Sequence, residues 1–151
     1  STKIALTMSD KFVVDLFRDG LEKVVSHADL VFANESEAKA FTGHDDVEIA
    51  LEEIAAKVPS AVITAGEKGA YGVWEQTRFH ASAYPCEPKD LTGAGDMFAA
   101  AFMYGVLSNQ DPQDSARAAC FLAREVITRV GARLTGGIKK YWDEALRSNA
   151  A

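Results

Sequence analysis

The chain has 151 residues, which is enough for one domain with a sizeable core. Its contents of 48% hydrophobic and 25% charged residues are ordinary for a soluble globular protein, and its net charge of −6 argues against nucleic acid or an anionic membrane as a partner. The sequence contains neither an apolar run of about 18 residues nor a signal-peptide pattern at its start. The two cysteines, Cys86 and Cys120, have no metal or redox spacing, so we expect reduced thiols and a cytoplasmic location.

The first third of the chain predicts a strand, a helix and a second strand. Residues 3–7 and 28–33 are each typical of a short apolar strand. Between them, apolar residues recur at helical spacing, interrupted only at Gly20, after Ser9 and Asp10, which can cap a helix. Because this order within about thirty residues is typical of a βαβ unit, we expect an α/β fold with a mostly parallel sheet.

Asn34 follows the second predicted strand and begins another predicted helix. Glu37 lies three residues later, so the two residues form a capping box, which is the interpretation that the residues alone favour. Residues 47–58 have one apolar face and predict a further helix, which Pro59 ends.

Three more strands are predicted in the middle of the chain. Residues 61–64 and 70–74 flank a turn that contains Gly66 and Gly69, and a hairpin is the simplest interpretation of this pattern. A further strand is expected over residues 78–84, before prolines interrupt regular structure.

Residues 90–96 (DLTGAGD) form a glycine-containing loop that runs into an alanine-rich helix. Gly93 and Gly95 allow the backbone to approach a ligand closely and to adopt positive φ. The free N–H groups at the helix start, together with the helix dipole, favour an anion such as phosphate. Asp96 adds a carboxylate that can accept the proton of a hydroxyl group, so the loop suits phosphoryl transfer. A plain helix N-terminus with a glycine turn is the alternative interpretation.

Two helices are predicted after the loop and its helix. Asp111 as cap and Pro112 at the first helical position begin one, and Gly131 is expected to close it as a C-terminal glycine. Residues 139–146 predict the last helix.

The string DLTGAGDMFAAAF resembles the C-terminal signature of the PfkB (ribokinase-like) family of carbohydrate and nucleoside kinases, usually D-T-x-G-A-G-D. The resemblance implies a three-layer α/β/α ribokinase-like fold with a mostly parallel central sheet. Members of that family are roughly twice as long, and every motif found here belongs to their C-terminal half. We therefore expect residues 1–151 to be a single α/β domain that forms only the nucleotide-binding and catalytic half of such a kinase.

The resemblance also assigns roles within the signature. Asp96 takes the role of catalytic base, and Thr92 that of a nucleotide contact. Asp90 resembles the family residue that helps to form a monovalent-cation site, and Leu91 stands where the family usually has Thr. The anion hole falls on three consecutive residues: Gly93, Ala94 and Gly95.

Further nucleotide contacts follow from the resemblance. Asn34 and Glu37 match an N-x-x-E motif, in which Asn approaches the phosphates and Glu holds Mg²⁺ through water. Thr64, Gly66 and Gly69 match a T-x-G-x-x-G turn that lies along the ribose and phosphates. By the same resemblance, the helix after Asp111 borders the adenine pocket, although Cys120 stands where the family usually has Asn.

The activity implied by the resemblance is ATP-dependent phosphorylation of a hydroxyl group on a sugar or a nucleoside such as adenosine, with ATP, Mg²⁺ and K⁺ as cofactors. Most substrate contacts in the family come from the N-terminal half, so we expect such a half or a second subunit as partner, and exposed apolar surface without it. Two alternatives remain: a nucleotide-binding or partner-docking module that does no chemistry, and an unrelated α/β domain whose motifs coincide by chance.

Overall fold

The structure is a computed structural model that describes residues 2–148. Its strands are β1 (Ala5–Thr7), β2 (Leu30–Asn34), β3 (Ser60–Thr64), β4 (Ala70–Trp74) and β5 (Thr77–Ala81). Its α-helices are α1 (Lys11–Leu16), α2 (Arg18–Val25), α3 (Glu35–Thr42), α4 (Val47–Ala55), α5 (Ala94–Leu107), α6 (Pro112–Ile127) and α7 (Ile138–Arg147). None of the helices in this part of the chain has the length and apolar character that a membrane span needs.

The described residues form two compact units. The first runs up to Ala65 and includes Tyr71–Phe79, and the second comprises Gly66–Ala70 and the described residues from His80 on. The prediction of one domain over residues 1–151 includes Ser1 and residues 149–151, which lie outside the described residues, and it stays a prediction.

The strands form one sheet in the order β1-β2-β3-β4-β5. The β1–β2 and β2–β3 pairs are parallel. Five residues join β3 to β4, too few for the crossover that a parallel pair needs, so this part of the sheet is antiparallel. A two-residue turn at Glu75 and Gln76 joins β4 to β5, and both residues have positive φ, of 44° and 76°, as in the type I′ turns that match strand twist. The predicted α/β class is confirmed, with a mixed sheet.

One predicted helix is two helices in the structure. The chain breaks at Phe17 (φ −120°, ψ 29°) between α1 and α2, whereas Gly20 lies inside α2. The prediction of a single helix is therefore wrong, and Gly20, where the apolar spacing is interrupted, does not break the helix. The reason is a tertiary contact, because Arg18 donates hydrogen bonds to the carbonyl oxygens of Ala40 (3.3 Å) and Phe41 (2.6 Å) and so fixes the start of α2 on the end of α3.

The strand expected over residues 78–84 ends at Ala81. Beyond it, the ring of Tyr84 packs edge-on against Phe121 of α6, with 5.3 Å between ring centroids. This contact with a helix takes Tyr84 away from the strand ladder. The helix expected over residues 47–58 is also shorter, because it ends at Ala55.

The first unit has a core between β2, β3 and the helices that follow them. The buried strand β2 is apolar on both faces, as is typical of a strand in a parallel sheet that is covered on both sides. Full burial of each large side chain contributes about 1.5 to 3 kcal/mol. The largest fully buried side chains of this unit are Phe41, Met8, Ile54 and Ile63.

The same unit also exposes large apolar side chains on its first two helices. Phe12, Leu16 and Phe17 are 65%, 59% and 62% exposed, and we call these three residues the exposed apolar patch. Phe12 and Leu16 are four residues apart, so they lie on the same face of α1. The packing of this patch against an N-terminal half or a second subunit stays a prediction.

The second unit is built on close contact between α5 and α6. A Cβ built at Gly105 would lie 2.3 Å from the Oγ of Ser115, so only glycine allows this approach of the two helices. Trp142 of α7 packs edge-on against Tyr104 of α5, with 5.0 Å between ring centroids. This packing fixes the helix that follows the DLTGAGD loop.

Candidate functional site

The N-terminus of α5 is open. Gly93 is its N-cap residue, in the left-handed region (φ 83°, ψ 0°), and no side chain in the described residues caps this helix. By contrast, Asn34, Asp46 and Asp111 cap α3, α4 and α6 with their side chains. The Ala94 N–H donates to the carbonyl oxygen of Leu91, outside the helix, at 3.3 Å. The N–H groups of Gly95 and Asp96 have no partner within the helix and lie at its positive dipole end, so they are available to an anion. We call residues 90–96 the anion loop.

The two glycines of the anion loop have different roles. A Cβ at Gly93 would lie 2.7 Å from the Cβ and 2.9 Å from the carbonyl oxygen of Ala132, in addition to its positive φ. Gly95 is helical, and no side chain or distant backbone of the described residues lies within 4 Å of a Cβ built there. The expectation of positive φ is therefore correct for Gly93 and wrong for Gly95, because α5 already begins at Ala94. The space beside Gly95 remains open to a ligand.

Asp96 lies in the first turn of α5 and is exposed. Within residues 2–148, its carboxylate makes no hydrogen bond or ion pair, unlike that of Asp90 a few residues earlier. A carboxylate at the open end of a helix and without a structural partner is available to accept a proton from a bound hydroxyl group.

Asp90, the first residue of the anion loop, binds the loop to the segment that follows α6. Its Oδ1 accepts the backbone N–H of Thr92 at 2.9 Å, and its Oδ2 accepts the N–H of Gly131 at 3.0 Å. Hydrogen bonds from the Thr92 side chain and from these two amides hold the pKa of Asp90 below its ordinary value. The carboxylate thus has a structural function in the loop, and its role at a monovalent-cation site stays a prediction.

The end of α6 corrects another expectation. The helix ends at Ile127, with Thr128 as its C-cap, so Gly131 is not the glycine that closes it. Gly131 does have positive φ (95°), but it uses this conformation to direct its N–H to Asp90. A side chain 41 residues away in sequence therefore explains this glycine, and local capping rules do not reveal such a partner.

A pocket of about 400 Å³ lies in the second unit, and we call it the proline-lined pocket. Its walls are mostly apolar side chains and small residues, a composition typical of pockets for flat organic groups. The sequence gives only a weak signal for it, the two prolines before the anion loop. The lining residues are Gly66, Glu67, Ala83, Tyr84, Pro85, Cys86, Pro88 and Ile127.

Asn34 and Glu37 form the predicted capping box, which is confirmed. The Asn34 side chain accepts the N–H of Glu37, and the two carboxylate oxygens of Glu37 accept the backbone N–H (2.9 Å) and the side-chain N–H (2.8 Å) of Asn34. Glu37 is only 5% exposed. Burial raises its pKa, the Asn34 N–H opposes this rise, and the charge of Asp10 adds to it.

Thr64 is the register partner of Asn34, at the ends of the parallel strands β3 and β2. The structure thus brings these two predicted residues together at the carboxyl edge of this part of the sheet, where α/β proteins commonly bind ligands. In the residues that the structure describes, no group of three or more His, Cys, Asp or Glu side chains could hold a metal ion. The role of Glu37 toward Mg²⁺ through water stays a prediction.

Gly66 and Gly69 flank a 3₁₀ turn (Gly66–Lys68) in the second unit. Both have positive φ, of 53° and 93°. A Cβ at Gly69 would lie 1.9 Å from the carbonyl oxygen of Ala81, so Gly69 is required for packing, while Gly66 lines the proline-lined pocket.

Comparison with known proteins gives a consistent result. The model of the pfkB family of carbohydrate kinases matches residues 1–136. The chain is 37% identical over 120 residues to a cytidine kinase from Thermococcus kodakarensis, and this alignment covers 76% of the chain and 42% of that protein.

Solved structures agree with this match. Adenosine kinase from Sinorhizobium meliloti superposes with a TM-score of 0.89 at 31% identity, over 95% of this chain and 45% of that one. A protein named as a ribokinase II from E. coli, solved in complex with ATP and Mg²⁺, superposes with a TM-score of 0.77 at 26% identity, over 86% of this chain and 44% of that one. The ribokinase-like fold is confirmed, and the chain spans less than half the length of each of these three proteins.

Proposed function

Because the chain belongs to the pfkB family of carbohydrate kinases, we propose that it is the nucleotide-binding and catalytic half of an ATP-dependent kinase that phosphorylates a hydroxyl group of a nucleoside or sugar. The observation that carries this proposal is the open N-terminus of α5, with free space beside Gly95 and a carboxylate at Asp96 that makes no hydrogen bond or ion pair with any residue that the structure describes.

The anion loop supplies the catalytic groups in this proposal. The amides of Gly93, Ala94 and Gly95 stabilise the charge on the transferred phosphoryl group in the transition state, and the dipole of α5 adds to their effect. Asp96 orients the acceptor hydroxyl and takes its proton as the new bond forms. A carboxylate of ordinary basicity suffices, because phosphoryl transfer through a loose transition state requires little early deprotonation.

The proline-lined pocket is proposed to take the base and ribose of ATP. Its volume of about 400 Å³ falls within the range of roughly 300 to 1,000 Å³ for small-molecule sites. Tyr84, Pro85 and Ile127 offer apolar surface to a flat ring, and the positive φ of Gly66 turns the backbone along its wall. The E. coli ribokinase II was solved with ATP, which supports ATP as the phosphoryl donor here.

Residues of the first unit are proposed to serve the phosphates and Mg²⁺. Both oxygens of the buried Glu37 carboxylate already accept hydrogen bonds from Asn34, so an ion held through water suits this side chain better than direct coordination. Bound Mg²⁺ neutralises charge on the phosphates. Thr64 adds a hydroxyl donor, Thr92 a further contact within the anion loop, and Asp90 the carboxylate for K⁺.

The acceptor is proposed to be a nucleoside, with adenosine as the first choice. The relatives that motivate this choice are named as a cytidine kinase and an adenosine kinase. We place the reaction in the cytoplasm, where ATP is supplied. The exposed apolar patch is proposed to pack against the N-terminal half of the kinase or against a second subunit.

Titration of the 151-residue chain with ATP tests the proposal first. We expect saturable binding that Gly95→Val abolishes, since the new side chain enters the open space at the anion loop. Gly20→Val, which also has no neighbour within 4 Å of its Cβ, is the matched control and should bind ATP normally. Absence of ATP binding by the folded chain would contradict the proposal. Binding in a whole protein that transfers no phosphoryl group would instead favour a non-catalytic nucleotide-binding module.

A further inference from the structure

Ile127 belongs to both the proline-lined pocket and the support of the anion loop. Ile127 is one of the residues that line this pocket. Its carbonyl oxygen, at the end of α6, accepts two backbone N–H groups, from Lys89 at 2.7 Å and from Asp90 at 3.2 Å. One residue thus links the pocket to the segment that leads into the anion loop.

The segment after Ile127 makes a second link to the same loop. Gly131 donates its N–H to Asp90, and Ala132 packs so closely on Gly93 that a methyl group at Gly93 would clash with it. The anion loop is therefore held at its beginning by Ile127 and at its middle by Ala132. Both supports come from the stretch of chain that begins at the end of α6, at residues 127 and 132.

We propose that Ile127 is a positioning residue that couples occupancy of the proline-lined pocket to the geometry of the anion loop. A nucleoside in the pocket packs on the Ile127 side chain and fixes the end of α6, and the two hydrogen bonds of its carbonyl group then hold the loop in its anion-binding form. The nucleoside part of ATP therefore strengthens the binding of the phosphates beyond the sum of the separate contacts. The inference rests on the proposed function, because it requires both the pocket and the loop to bind ATP.

Coupling of this kind is reciprocal and can be measured with two separate ligands. Adenosine carries the base and ribose, and inorganic tripolyphosphate carries the anionic part. Calorimetric titration of the 151-residue chain gives the affinity for tripolyphosphate with and without saturating adenosine. The amide resonances of Ala83 and Cys86 in NMR spectra show whether adenosine occupies the pocket.

We expect adenosine to tighten tripolyphosphate binding roughly fivefold or more, which is the lower end of common allosteric coupling. Ile127→Val should reduce this factor and Ile127→Ala should reduce it to near one, with circular dichroism as the check on folding. Tyr84→Leu removes pocket wall without touching the hydrogen bonds to the loop. This variant should weaken adenosine binding and leave the coupling factor unchanged. A merely structural role of Ile127 does not predict that coupling is lost in the Ile127 variants and kept in Tyr84→Leu.

The outcomes separate the inference from the function on which it rests. If both ligands bind and the factor is one in the unaltered chain, or if the folded Ile127 variants keep the full factor, the coupling is overturned and the kinase proposal stands. If tripolyphosphate does not bind, or if adenosine leaves the resonances of Ala83 and Cys86 unchanged, the assignment of the loop or the pocket fails and the inference fails with it.

Discussion

Asn34 and Thr64 are register partners at the carboxyl ends of two parallel strands. Their side chains differ in how far the fold itself uses them. The Asn34 side chain is fully engaged in the capping box, whereas the Thr64 hydroxyl makes only a long hydrogen bond of 3.5 Å to the carbonyl oxygen of Ala33. Thr64 is therefore the better residue for separating ligand binding from stability.

We predict that Thr64→Val weakens ATP binding by roughly tenfold, since a hydrogen bond to a charged group contributes about 1.5 to 3 kcal/mol. The free energy of unfolding should change by about 0.5 kcal/mol or less. ATP titration and urea unfolding measure the two quantities. Thr77→Val, the same substitution at an exposed position of β5, serves as the control and should alter neither. Unchanged ATP affinity in Thr64→Val would remove this residue from the site.

The glycines of the anion loop are predicted to respond differently to the same substitution. Gly93→Ala should lower the free energy of unfolding by about 1 to 3 kcal/mol, because of its positive φ and the clash with Ala132. Gly95→Ala should leave the fold intact or stabilise it by up to about 1 kcal/mol, since it lies in a helix, but should weaken ATP binding roughly tenfold. Denaturant unfolding and ATP titration of both variants check this. Tight ATP binding by Gly95→Ala would show that the open space beside residue 95 is not the phosphate site.

The pH dependence of stability is predicted to report on Glu37. Burial raises its pKa above the usual 4.5, so the folded chain retains a proton that the unfolded chain has already lost. The contribution of Glu37 to the free energy of unfolding is therefore fully present below pH 4.5, and it is lost as the pH rises through the folded-state pKa.

Glu37→Gln removes this titration. The free energy of unfolding of the unaltered chain, measured relative to that of Glu37→Gln, should thus fall as the pH rises from 4.5. Urea unfolding at a series of pH values gives the difference. Glu48→Gln, at an exposed position in the first turn of α4, is the control. A difference between the Glu37 variant and the unaltered chain that does not vary with pH would contradict the assigned cause.

The exposed apolar patch is predicted to drive association of the isolated chain. The double variant Phe12→Gln/Leu16→Gln should shift the chain toward monomer in sedimentation velocity, because it removes two of the three apolar side chains of the patch. Leu107→Gln, at a residue that is 78% exposed but lies outside the patch, should leave association unchanged. If the unaltered chain stays monomeric at high concentration, the patch does not have this role.

The sequence predicted the local features well and the long-range contacts poorly. The capping box at Asn34 and the cap at Asp111 with Pro112 after it depend on residues within three positions, and both are confirmed. The break at Phe17 depends on Arg18 reaching the end of α3, and the conformation of Gly131 depends on Asp90. No periodicity or capping rule contains such partners.

The site followed the same division. The anion loop is contiguous in sequence, so the amino-acid sequence of these seven residues was enough to predict a helix N-terminus that suits an anion. The proline-lined pocket combines Gly66, residues 83–88 and Ile127, which come together only through packing. The resemblance indicated Gly66 and the helix after Asp111 as neighbours of the nucleotide, but the sequence did not indicate that residues 83–88 join them. The resemblance to a kinase family supplied the chemical roles, and these roles stay predictions for each residue.

Asp96→Asn in the whole kinase tests the central claim most directly. Phosphoryl transfer from ATP to adenosine, and to a panel of other nucleosides and sugars, is followed by ADP release alongside the ATP dissociation constant. Asp19→Asn, in the first turn of α2, is the control for the change of charge. The account predicts at least a hundredfold loss of transfer with ATP affinity nearly unchanged, as expected for removal of a general base. Transfer at the unaltered rate by a well-folded Asp96→Asn variant would contradict it.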